Sequence, residues 1–180
     1  TKTRVAAGVP AELAERSGAP AAQVIALFEQ ARREQPASLL AAMLLARRML
    51  HAGRISDCAE VLRSAADFAD VPSTRALLLL EAGRALERAG RNDEAQACFE
   101  RAHEHEPAQV GALIGSARLQ LARADRAASA RTLEALSKVE KHPELSAEWS
   151  RQQGLLLLDG LNDPARASEV LRGQESASGL

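Results

Sequence analysis

The chain has no tyrosine, one tryptophan and three phenylalanines among 180 residues, so aromatic rings cannot fill its core. Alanine and leucine must do so, and β-branched residues are scarce. That composition favours thin helix-on-helix layers over a sandwich or barrel and predicts an all-α fold. The two cysteines, Cys58 and Cys98, fall on apolar helical faces, which reads as buried thiols and not as a disulfide. No apolar run approaches the ~18 residues that a membrane-spanning helix needs. Nor does a basic start lead into an apolar stretch, so no secretion signal is expected. The cytoplasm is the expected compartment, with the periplasm kept open because a chain beginning at Thr1 could be a fragment.

Charge of one sign is also lacking. Lysine and arginine total 23 against 24 acids, for a net charge of −1. No overall basic field exists to draw DNA, RNA or an anionic membrane. Catalytic patterns are missing too: there is no glycine-rich phosphate loop, and neither cysteine has a histidine base beside it. His103 and His105 stand two apart and diverge on a helix, so they cannot chelate one ion. The expectation is a protein that is not an enzyme and holds no cofactor and no metal.

What is present is a repeated unit. In Gly83–Pro107, GRALERAGRNDEAQACFERAHEHEP, a helix ends at Gly90 and a second places Ala95, Phe99 and Ala102 on one face before Pro107. A turn glycine, small residues at the crossing and an exit proline suit two close antiparallel helices. Upstream, Gly53, Cys58, Leu62, Ala65 and Pro72 repeat the pattern, with extra residues assigned to a loop at Val71–Thr74. Downstream, Ala124, Ser129, Leu133 and Pro143 repeat it again. Phe28, Ala31 and Pro36 mark Pro20–Gln35 as the second helix of a first unit. Gly160–Ala165 echoes Gly90–Ala95, although the register beyond it slips. Ala46, Gly83 and Ala117 share the small-residue slot of the first helices.

These residues resemble the tetratricopeptide repeat family, whose small–small–aromatic–small–proline pattern is carried by Gly83, Ala95, Phe99, Ala102 and Pro107. The family's usual aromatic pair in the first helix is replaced by Leu79 and Leu86. The resemblance implies a right-handed α-solenoid of antiparallel helix pairs. Its units would be 5–38, 39–72, 76–109, 110–143 and 147–180 of a single domain.

It also implies a concave groove lined by the first helix of each pair. Arg47, Arg84 and Arg118 take the same groove-facing slot, with Met43, Leu80 and Ile114 one turn earlier and Leu40 and Leu77 beside them. An arginine ladder flanked by aliphatic side chains suits an acidic partner segment with apolar anchors. The plainer alternative pairs Arg84 with Glu81 or Glu87 on its own helix. The expected role is therefore a bacterial protein–protein interaction module, an adaptor or scaffold; self-association through the terminal repeats is a further expectation. A rival reading takes Leu13–Val24 as a helix-turn-helix, making the chain a transcriptional regulator with a sensing repeat region. Its reading helix offers no lysine or arginine before Arg32, too little charge for phosphate.

Overall fold

The computed structural model describes residues 9–177. It is all-α, with no strand among the described residues. They fall into two compact units, one ending at His105 and the other beginning at Glu106. The first holds α1 (Val9–Arg16), α2 (Ala21–Glu34), α3 (Leu39–His51), α4 (Ile55–Asp67), α5 (Pro72–Arg88) and α6 (Asn92–His105). The second holds α7 (Val110–Ala122), α8 (Arg126–Val139), α9 (Pro143–Leu155) and α10 (Pro164–Ala177). Within each unit every helix packs on its neighbours in sequence. The expected start of the first repeat at Val5 and the end of the last at Leu180 lie outside the described residues.

Each hairpin turns through a residue with left-handed backbone. Gly53 and Gly90 have φ of 74° and 75°, and Ala124 takes the same place at 56°. The following amide reaches back five residues to close the helix: Arg54 to the Met49 carbonyl at 2.8 Å, Arg91 to Leu86 at 2.9 Å and Asp125 to Gln120 at 2.9 Å. Ala124 bears a Cβ in a conformation that costs an L-residue ~1–2 kcal/mol. Replacing it by glycine is expected to stabilise the protein by ~0.5–1 kcal/mol, and Gly90→Ala to destabilise it similarly. Thermal melts of the two variants moving in opposite directions would establish the turn geometry.

The last turn explains the slipped register. A π-helical turn at Leu156–Gly160 adds one residue, Asn162 becomes the left-handed position at φ 53°, and Asp163 reaches back six residues to Leu157 at 2.8 Å. Gly160 is therefore not the equivalent of Gly90. The same insertion appears in the crossings. Ala46 and Leu62, Gly83 and Phe99, and Ala117 and Leu133 stand sixteen residues apart, whereas Gly154 and Leu171 stand seventeen apart. A Cβ at Gly83 would lie 2.5 Å from Phe99, and one at Gly154 would lie 2.9 Å from Leu171. A large side chain over a small residue thus holds both hairpins together.

The Val71–Thr74 loop does not form. Pro72 opens α5 at a position where its missing N–H costs nothing, and the extra residues lengthen α5 to 17 residues. Arg75, in that added turn, donates to the Ala66 carbonyl at 3.2 Å and the Ala69 carbonyl at 2.6 Å, covering the end of α4. At the other end of the unit, α2 buries Val24, Ile25, Phe28 and Ala31, as a second hairpin helix should. Arg32 donates to the Val61 carbonyl at 3.2 Å and to Ser64 at 2.9 Å. The first basic side chain of α2 is therefore engaged inside the protein, where a DNA-reading helix would direct it to phosphate.

Candidate functional site

Between α3 and α5 the first unit carries a groove of about 400 Å³. It is within the range of ligand sites. Ala46, Leu62, Leu78 and Ala85 are buried in its floor together with Cys58, whose thiol is pushed up by that burial and by the nearby Glu81 charge. Cys58 is thus an apolar floor residue and not a nucleophile. Met43 (54% exposed) and Leu77 (48% exposed) form apolar lips.

The α5 wall follows helical spacing, with Leu77, Glu81, Arg84 and Arg88 on one stripe. That stripe is about 16 Å long at 1.5 Å per residue. The groove is therefore polarised along its length. Its first part, at Met43, Thr74 and Leu77, is uncharged, whereas Arg47, Arg84 and Arg88 gather at the second. This end lies toward the C-termini of α3 and α5, where helix dipoles favour cations. Arg84 donates to Glu81 at 2.6 Å, the expected pairing along its own helix. Arg47 and Arg88 form no ion pair with the described residues.

The residues expected in the groove divide as follows. Arg47, Arg84, Met43 and Leu77 line it together. Leu80 does not: at 4% exposure it is a core residue. It lies about 60° round α5 from Leu77 at 100° per residue, among the consecutive buried leucines Leu78, Leu79 and Leu80. A helix packed by both α4 and α6 leaves only a narrow stripe open. Leu40 is exposed one turn before Met43 but is not part of the lining. Ile114 and Arg118 lie in the second unit, where Arg118 is exposed and already interacts with another group of the protein. Arg88 was missed, although it continues the 77–81–84 spacing by four residues.

The second unit repeats the groove between α7 and α9, at about 220 Å³. Met43, Arg47, Leu50 and Leu62 are matched 71 residues later by Ile114, Arg118, Leu121 and Leu133. Its other wall differs in chemistry. Trp149 replaces Leu78 and Gln152 replaces Glu81, while Leu155 and Asp159, at the positions of Arg84 and Arg88, line an adjoining cavity. Glu148, in the place of Leu77, accepts hydrogen bonds from Arg151 and Gln152 that hold its carboxyl down at about 2. The second groove thus repeats the position of the first at about half its volume and keeps only Arg118 of its three arginine positions.

Turn residue, small-residue crossing and side-chain plug together define a helical-hairpin repeat of the tetratricopeptide type. Residues 75–119 match the family model described as Tetratricopeptide repeat, and the chain carries that family's fold. No curated protein matches the sequence. Among solved structures it is similar to a crystal structure of MamA protein, with 13% identity, 91% of this chain and 85% of that chain covered, and a TM-score of 0.61. A second crystal structure of MamA shows 13% identity, coverage of 93% and 95%, and a TM-score of 0.61. A MamA RS-1 ArsTM double mutant shows 9% identity, coverage of 94% and 92%, and a TM-score of 0.58. At these identities the likeness is one of fold. Tetratricopeptide repeats serve as protein–protein interaction scaffolds, and the family match supports that broad role.

Proposed function

We propose that the chain is a protein–protein interaction module whose α3–α5 groove holds an acidic partner segment with apolar anchors. The observation that carries this reading is the gathering of Arg47, Arg84 and Arg88, against the single acid Glu81, at one end of a groove with an apolar floor and lips. The partner's apolar side chains would enter between Met43 and Leu77, and its carboxylates would lie at the arginine end. Arginine offers bidentate contacts to carboxylates that lysine does not.

A capped synthetic peptide tests the reading. It would span about three helical turns, with leucines in its first turn and glutamates in its last. Raising ionic strength from about 0.1 M to about 1 M shortens screening from ~10 Å to ~3 Å. The affinity is expected to fall by about tenfold, because each exposed charge pair contributes only ~0–1 kcal/mol. Affinity that holds steady or rises with salt would show that the arginines do not take part.

A further inference from the structure

We infer that Glu81 is an internal competitor for the partner's carboxylate, holding Arg84 until an acidic segment displaces it. The inference rests on the groove reading above and adds a device that sets its affinity. Arg47 and Arg84 occupy equivalent positions of α3 and α5, yet only Arg84 is paired, through Glu81 at 2.6 Å. The difference lies three residues earlier, where α3 carries Leu44 and α5 carries Glu81. In the second unit the same position is Gly115 in α7 and Gln152 in α9. The repeat therefore folds without an acid there, and Glu81 is not needed to build the hairpin.

Glu81 also lines the groove, the one acid among three arginines. Both partners of the pair are about half exposed, at 48% and 46%, so the bond is weak and exchangeable. An incoming carboxylate can take over the Arg84 guanidinium, but it must first displace Glu81 and then lie beside its charge. Glu81 thus lowers affinity for acidic segments in general. It favours segments that bring more than one carboxylate, since these also reach the unpaired Arg47 and Arg88.

The test is a double-mutant cycle with the leucine–glutamate peptide as probe, measured on the full chain by calorimetry. Glu81→Gln installs the residue that the second unit carries at Gln152, which makes it compatible with the fold. It is expected to tighten binding about three- to tenfold, the effect of removing one nearby like charge in a well-solvated site. In the Arg84→Gln background the same change should give less than half of that gain, because there is no guanidinium to release. Parent binding with no gain, or a loss, on Glu81→Gln overturns the inference and leaves the groove reading intact. A full gain persisting without Arg84 also overturns it, since that is simple repulsion. Absence of binding by both the parent and Glu81→Gln defeats the groove reading and this inference together.

Discussion

Gly83→Leu is expected to destabilise the protein by at least ~1–3 kcal/mol, the range for overpacking a close-fitted core. A Cβ at this position would already lie 2.5, 2.7 and 3.1 Å from three ring atoms of Phe99, before any further leucine atoms are added. The ring is 0% exposed and rigid, so it cannot turn aside as a flexible chain end would. Relief requires α5 and α6 to move apart, and that would open the layer around Ala82, Leu86, Ala95 and Ala102, all fully buried. Urea unfolding followed by circular dichroism measures the loss. Pairing Gly83→Ala with Phe99→Leu separates steric overlap from other causes: the smaller, more flexible plug should restore part of the stability that Gly83→Ala removes. A Gly83→Leu variant as stable as the parent would show that α5 and α6 do not cross here.

Reversing charge at Arg47, Arg84 and Arg88 together should weaken binding of an acidic segment by about 100-fold or more, because opposed like charges cost several kcal/mol. Stability should fall only modestly, by ~1–2 kcal/mol, because acids near the C-termini of α3 and α5 oppose the helix dipoles. All three side chains are exposed, and only Arg84 makes an ion pair with the described residues, of a kind that contributes ~0–1 kcal/mol. This contrast between lost binding and retained folding distinguishes a binding surface from a solvated basic row. Binding measurements on the triple glutamate variant, alongside its thermal melt, give both quantities. Retained affinity would place the partner on another face.

The hairpins were legible because their crossings depend on residue size at fixed spacing. Gly83 with Phe99 and Ala117 with Leu133 reveal two helix pairs directly. The last pair was obscured by a single added residue: the π-helical turn at Leu156–Gly160 shifts Ala167 and Leu171 into the slots that Ala95 and Phe99 fill. Composition hints at no such turn, and Gly160 drew the eye to the wrong register. Proline misled in a similar way. Pro72 reads equally well as a loop residue or as the first residue of a helix, and Arg75's bonds to the end of α4 favour the helix.

The groove was legible in part. Repeat equivalence put Arg47 and Arg84 in one slot, and the structure brings both to one groove. The same equivalence failed for Leu80, because exposure depends on how much of a helix its neighbours cover. Met43 and Leu80 occupy matching positions, but only Met43 is open. Arg88 required the opposite step, following periodicity within α5 instead of comparing repeats.

The most direct measurement is site-specific photo-cross-linking with the leucine–glutamate peptide. A photoreactive residue would be placed at Leu77 in the groove, or at exposed Glu104 on α6 as the control. The account predicts strong capture from position 77, little from position 104, and loss of the position-77 product when Arg47, Arg84 and Arg88 are alanine in a folded variant. Equal capture from the two positions, or capture at 77 that survives removal of the arginines, would contradict it.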